Sequence, residues 1–291
     1  MHDTALEFGK MFFDTYIDKA ENLVIVDVGA QDVNGSLRSV APINNQYIGV
    51  DFAEGAGVDL VINDPYSLPF EDNSVDVCVC SSCFEHSDFF WLLFNEIQRI
   101  LHPSGIFYLN IPSNGNFHRF PVDCWRFYPD SGIALQNWAR RSGYGTVLLE
   151  SFIGKQKDDV WNDFVAVFLK DKSYISKYPY RIQNTFKNYT NGLTFESIGF
   201  SNFAERQEDQ IKSFSFCKLD RCGVWMSEVY SQGAQSDLYW RTAKSTDFNE
   251  NQVLRISHKF HEHCQMFQFT FPMEAAAITG LRLDITNRPA I

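Results

Sequence analysis

No run of lysine or arginine occurs in this 291-residue sequence, and its formal net charge is -11. So acidic a chain gains nothing from counterion release on a polyanion, and no nucleic-acid partner is expected. Nothing approaches the ~18 consecutive apolar residues of a membrane span, so no transmembrane segment is expected either. The N-terminal stretch MHDTALEFGKMFFDTYIDKAENL lacks the basic start and apolar centre of a secretory leader. Seven cysteines make an odd set without framework spacing. Reduced thiols and a cytoplasmic location are therefore the expectation. Internal repeats and low-complexity segments are absent. What is there is 45% hydrophobic and 15% aromatic, enough for a large core and, by length, for two units.

The first part alternates strand and helix signals. Apolar spacing predicts a helix over 4–19. LVIVDVG, QYIGVDF (46–52), VDLVIN (58–63) and SVDVCVCSS (74–82) read as four strands. DFFWLLFNEIQRILHPSG (88–105) reads as an apolar helix stopped by Pro103 and Gly105. IFYLNIP (106–112) is a fifth strand, GIALQNWARRSG (132–143) a helix with a terminal glycine. GTVLLESFIG and DFVAVFLK close as an antiparallel pair. The class is α/β, with a mostly parallel sheet over 1–172 and helices on both faces. Residues 173–221 read as a polar and aromatic linker. From 222 to 291 the pattern changes to short strands between turn residues, a smaller sandwich-like β region. The sequence stops just after one of these, at LRLDITNRPAI, which is expected to be a truncation of a larger glycan-related module.

In such sheets ligands sit at the carboxyl ends of the strands. The segment VIVDVGAQDVNGS (24–36) looks there like a nucleotide turn with glycines missing. A dinucleotide loop needs G-x-G-x-x-G, so that backbone can approach a pyrophosphate. Counted from Gly29, the next two positions are Gln31 and Asn34. Gln31, Asp32 and Asp27 suit a phosphate poorly; they suit a cationic centre with an amino-acid end. Asp51 follows at about 20 residues, placed to accept both ribose hydroxyls. The pattern keeps a ribose anchor and drops the phosphate cradle, which fits S-adenosyl-L-methionine (SAM).

These residues carry a resemblance. VIVDVGA, YIGVD, NDPYSLPFEDNSVDVCVCSSCFEH and EIQRILHPSGIFYLNIP, in order over about 20–170, resemble a class I SAM-dependent methyltransferase of the small-molecule type. The resemblance implies a Rossmann-like seven-stranded sheet and SAM as cofactor. It implies that Asp27 and Gly29 line the methionine end, beside Gln31. It places Asp51 on the ribose, Phe52 against adenine, Asp64 on the adenine amino group and Ser81 at the methionine moiety. It departs at Ala30 and Gln31, where a further glycine is usual. On the residues alone, Asp51 can instead be a helix cap, and Asp64-Pro65 simple turn chemistry.

The methyl acceptor is addressed by PSNGNFHRFPVDCWRFYPDSG (112–132), which follows the fifth strand. Aromatic faces with a few hydrogen-bonding groups suit a sugar ring. His118 is the first candidate for the base, because imidazole titrates near working pH. Asp123 either orients it or is itself the base, and His86 is the rival. Arg119 and Arg126 could grip an acidic or phosphorylated acceptor, with Trp125 and Tyr128 stacking on it. The plainer reading is a structural loop, with Trp125 packed behind it and Arg126 paired to Asp130. The loop also resembles methyltransferases of bacterial surface-polysaccharide (O-antigen) synthesis. The tail resembles β-sandwich segments of glycan-building transferases. Together they imply O-methylation of a sugar or its phosphate, with a glycan or activated sugar as acceptor and a fused or associated glycosyltransferase as partner.

No metal site is expected. Cys78 and Cys80 sit within a strand and read as small core hydrophobes. His258, His261 and His263 lack a carboxylate at firm spacing. Two other functions stay open: methylation of a small secondary metabolite, and a silent SAM-fold module that positions a glycosyltransferase.

Overall fold

The computed structural model describes residues 3–17, 21–157, 161–205 and 208, and beyond them the backbone of six strands between 219 and 286. The chain forms two compact units, Met1–Ile211 and Lys212–Ile291.

The first unit is built on one eight-stranded sheet. Its strands are β1 (Val24–Val28), β2 (Gln46–Asp51), β3 (Leu60–Val61), β4 (Val75–Ser81), β5 (Leu101–Pro112), β6 (Val147–Gly154), β7 (Asp163–Leu169) and β8 (Tyr189–Thr194). The order across the sheet is β3-β2-β1-β4-β5-β7-β6-β8. The first five strands pair in parallel, and β7, β6 and β8 run antiparallel to their neighbours. Strand order reverses between β1 and β4, so a crevice opens at their carboxyl ends. The seven expected strands are present, and β8 extends the sheet by one.

Alternating side chains of β4 explain why it reads as a continuous apolar run. Cys78 and Cys80 enter the core under α2 (Phe90–Ile100) and α3 (Ser131–Arg141), while Val77 and Val79 enter the opposite core. The first core includes Phe94 and Phe168, whose rings meet edge on at 5.0 Å. The second is covered by α1 (Asp3–Phe12) and a π-helical turn, Phe13–Ile17. There Phe12 is fully buried, 4.8 Å from the Tyr108 ring. Each such side chain is worth about 1.5–3 kcal/mol of burial.

Two sequence expectations need correction. The helix expected over 88–105 ends at Ile100, because Leu101 turns extended and pairs with Val75. Pro103 also disfavours a helical residue before it. The loops after β1 and β2 hold no long helix; β1 is followed only by a 3-10 turn, Leu37–Val40, capped by Ser36. The second corrected expectation is the linker: its first part is packed into the unit. Ile182 and Tyr189 are buried, and α4 (Ile182–Thr185) leads into β8. Glu150, wholly buried, holds that segment by accepting from Ile182 N (2.7 Å), Gln183 N (3.1 Å) and the Tyr16 hydroxyl (2.6 Å).

In the second unit, β9 (Leu219–Asp220), β10 (Gly223–Met226) and β13 (Phe267–Phe269) form one antiparallel sheet. The strands β11 (Gln235–Thr242), β12 (Val253–Ser257) and β14 (Ile278–Thr286) form another. Five of the six fall on the strand-like runs of the sequence; β9 lies in the segment read as linker. His258, His261 and His263 lie outside the described residues. No helix among the described residues is long and apolar enough to cross a membrane.

Candidate active site

A cavity of ≈ 740 Å³ lies over the carboxyl ends of β1, β2 and β4. Asp27, Gly29, Gln31, Asp51, Phe52 and Ser81 all line it, and so do His86, His118 and Arg119. Six of the seven residues expected at a cofactor, and two of the three expected at a reacting hydroxyl, therefore share one space.

The loop after β1 is fixed without a helix. Gly29 has φ +82, and a Cβ there would stand 2.6 Å from the Cys83 Cβ, so only glycine fits. Its N–H donates to Val50 O at 2.9 Å, tying the loop to β2. Asp32 Oδ1 accepts from Gly35 N at 2.7 Å, turning the chain toward the Ser36 cap. Gln31 replaces glycine for a reason the sequence did not disclose. Its Nε2 donates to Glu54 O at 3.1 Å, over Gly55, where a Cβ would come within 2.6 Å of that nitrogen. Gln31 thus staples the first loop to the turn beyond β2.

Asp51 is buried at the foot of this staple. Its Oδ2 accepts from Gln31 N at 3.2 Å and its Oδ1 from Ala53 N at 3.1 Å. Each oxygen keeps a further lone pair, which a vicinal diol can use. Phe52, 56% exposed, stands at the lip. Asp27 is buried, accepts from the Tyr47 hydroxyl at 2.6 Å, and is pushed up to about 6 chiefly by burial. Asp64 is not brought to the wall. Its Oδ1 accepts from Tyr66 N at 2.9 Å in a surface turn, and Ile62 and Pro65 line the cavity instead. Ser82, which the sequence gave no reason to single out, has φ +53 and a buried Oγ without a partner. Backbone strain of this kind gathers at ligand sites.

At the other end, the loop after β5 is strapped down over residues 85–88. Cys124 N donates to Glu85 O at 2.7 Å and Trp125 Nε1 to Ser87 O at 2.8 Å. Asp123 is the knot. It accepts from Arg126 at 2.5 and 2.8 Å through both oxygens, and from His118 N at 2.7 Å. Burial opposes its charge, but the Arg126 hydrogen bonds and the His118 N–H outweigh that, and the carboxyl falls to about 2. So acidic a group is a poor proton acceptor near neutrality; Asp123 has the geometry of an orienting residue. Arg126 also donates to Asn116 O and Trp125 O, so Asp123, not Asp130, is its acidic partner.

The rings of His86 and His118 meet edge to face at 5.1 Å. His86 Nδ1 is held by Val122 O and His118 Nδ1 by Asn116 O at 3.2 Å. A carbonyl can only accept, so His86 Nδ1 carries the proton and its Nε2 is left bare; His118 Nδ1 lies between Asn116 O and the Arg126 guanidinium, 3.4 Å away. Burial lowers the His86 pKa and keeps that ring neutral. Glu85 is wholly buried, and neither carboxylate oxygen has a hydrogen-bond partner. Desolvation raises it to about 8.

Trp125 and Arg126 line a second cavity of ≈ 350 Å³, with Phe90, Trp91, Phe127 and Trp138. Neither borders the larger one. Tyr128 is exposed and lines neither cavity.

Residues 25–109 match the profile of the family described as "Methyltransferase domain". This segment runs from β1 through most of β5 and carries every wall of the larger cavity except the loop after β5. No curated protein matches the chain. Among solved structures, the chain is similar to a Burkholderia thailandensis 1,6-didemethyltoxoflavin-N1-methyltransferase. The identity there is 14% over 58% of this chain and 80% of that one, with a TM-score of 0.46. A SAM-dependent methyltransferase from Methanosarcina mazei gives 14% identity over 52% and 93%, with a TM-score of 0.41. The [4+2]-cyclase SpnF gives 13% over 57% and 81%, with a TM-score of 0.43. Similarity at this level says nothing of the reaction. Residues 25–109 are a methyltransferase domain, and the methyl donor of such a domain is SAM.

Proposed function

We propose that this protein transfers the methyl group of SAM to a sugar hydroxyl, or to a sugar phosphate, of a bacterial glycan or its activated precursor. The observation that carries the methyl transfer is one cavity lined both by Asp51 and by the imidazoles of His86 and His118. Its volume, ≈ 740 Å³, suits a ligand of this size with room for an acceptor group.

The residues present fit the cofactor. Gly29 leaves backbone open where a side chain would fill the wall, and Ser82 Oγ is buried with no partner of its own. Asp51 would hold the ribose hydroxyls. Asp27 and Gln31 would flank the methionine end, with Ser81 facing it and Phe52 against the adenine. When bound, SAM supplies an electrophilic methyl carbon on a sulfonium. The chain's own task is to place an acceptor oxygen in line with that carbon and to take its proton. Positioning supplies most of such an acceleration. In the simplest form His118 takes the proton, with Asp123 fixing its backbone and His86 beside it.

A sugar acceptor is supported by the mouth of the cavity. Phe120 is 56% exposed there, beside Arg119; together they offer a face for C–H stacking and donors for hydroxyl or phosphate oxygens. The apolar cavity under Trp125 includes neither imidazole, so a small apolar metabolite seated there would meet no base. An associated glycosyltransferase, a C-terminal glycan-related unit and a cytoplasmic site of action complete this reading.

The test is incubation of candidate glycans and nucleotide sugars with methyl-labelled SAM, followed by mass spectrometry. Label on a sugar oxygen supports the proposal. Label on nitrogen or carbon, or SAM binding without transfer to any sugar, removes the acceptor assignment. No calorimetric SAM binding at millimolar concentration removes the enzyme.

A further inference from the structure

We infer that Glu85, His86 and His118 form a binding site for one divalent transition-metal cation at the acceptor end of the larger cavity. One ligand atom from each residue lies within 4.8 Å of the others. His86 Nε2 stands 3.8 Å from Glu85 Oε1. In a bound site, donors about 2.0–2.2 Å from a metal are roughly 3.3–3.6 Å apart, within reach of small side-chain rotations.

Two further observations support a ligand. The first is Glu85 itself. It is 0% exposed, and both its oxygens lack hydrogen-bond partners. A buried carboxylate in this condition is satisfied either by a proton or by a cation. Arg126 acts on Glu85 as a nearby charge but makes no hydrogen bond to it, its guanidinium being held by both oxygens of Asp123. The second is the way the rings are held. Metal-binding histidines characteristically donate their other N–H to a carbonyl or carboxylate, which fixes the ring and the tautomer. His86 has Val122 O in that place and His118 has Asn116 O.

Two imidazoles and one carboxylate favour a borderline cation of the zinc, cobalt, iron or manganese kind over magnesium or calcium. Both rings border the cavity, so the remaining coordination positions face the acceptor. The cation's role, unlike its binding, rests on the methyl-transfer reading. It would hold the acceptor hydroxyl and make it acidic near neutrality. The hydroxyl proton then goes to solvent water. The oxygen–methyl bond forms as the sulfur–methyl bond breaks, and the sulfonium becomes a neutral thioether. Under this inference the imidazoles act as ligands, and the cation replaces them as the group that prepares the oxygen.

The experiment uses the full chain, stripped with chelator and titrated with Co²⁺, whose visible bands report nitrogen and oxygen ligands. The expected result is one Co²⁺ per chain, displaced by Zn²⁺. Glu85→Gln, which keeps shape and removes the carboxylate ligand, should weaken uptake at least tenfold, and His118→Ala likewise. Circular dichroism checks that each variant is folded. No saturable Co²⁺ uptake at millimolar concentration overturns the inference. So does equal uptake by wild type and both folded variants. SAM binding is measured on the same samples. SAM binding without Co²⁺ uptake overturns this site and leaves methyl transfer standing. Co²⁺ uptake lost in both variants, without SAM binding, upholds the site and removes the methyl-transfer reading.

Discussion

The main-chain N–H of Gln31 donates to the Asp51 carboxylate at 3.2 Å, joining the loop after β1 to the end of β2. Asp51 therefore supports the loop, and under the proposed function its remaining lone pairs hold the ribose. Asp51→Ala should weaken SAM binding by about 1–3 kcal/mol, the scale for losing a buried charged hydrogen-bond partner. Calorimetry on the variant checks this; an unchanged dissociation constant would remove Asp51 from the ribose.

Gly29 tests the same wall from its other side. Gly29→Ala puts a Cβ on the Cys83 side chain and forces a left-handed backbone on a residue that resists it. The left-handed conformation alone costs about 1–2 kcal/mol. Urea unfolding should show at least that loss, together with weaker SAM binding.

SAM affinity should depend on pH through Asp27. Its carboxyl sits near 6, so it is charged above that value and neutral below it. Only the charged form favours a cationic ligand, and the proton competes with binding. Affinity should fall by about tenfold for each pH unit below that point. Asp27→Asn should flatten the profile. A wild-type profile already flat between pH 5 and 7.5 would contradict the placement.

His118→Ala should leave SAM binding intact and reduce turnover by about 10²–10⁴. Turnover lost with Co²⁺ uptake retained favours the base role; loss of both favours the cation. Unchanged turnover would transfer the role to His86.

Asp123→Asn should loosen the acceptor loop. Losing the paired charge should cost about 1–3 kcal/mol, read by urea unfolding at pH 7. The carboxyl is depressed to about 2, so its contribution is full above the ordinary carboxylate range and disappears as pH falls toward 2. The difference between wild type and variant should shrink accordingly on acidification.

The sheet was legible because its strands are buried on both faces, and such strands announce themselves as apolar runs. So were Asp51 and Gly29, whose places follow from strand ends. Less legible was anything set by packing between distant segments. Gln31 looked like a defect, and its use depends on Glu54 O and Gly55. Trp125 and Arg126 sat in the right loop, but their hydrogen bonds to Ser87 and Asp123 set them beside a different cavity. The linker hid an edge strand because its apolar residues are spaced by the buried Glu150 network rather than by a period. The sequence reading rejected a metal on Cys78, Cys80 and the histidines His258, His261 and His263; Glu85, His86 and His118 come together only through the folded loop.

One consequence of the helix-free loop after β1 concerns discrimination. Most adenosine-bearing molecules in a cell are polyanions. Here Asp27 and Asp51 meet them with negative charge, and no long helix N-terminus offsets it. Under the proposed function, ATP and its relatives should bind near Asp27 and Asp51 more weakly than a cationic ligand. The same field sorts substrate from product, since donation of the methyl group cancels the sulfur's charge and weakens the hold on what remains, which favours turnover.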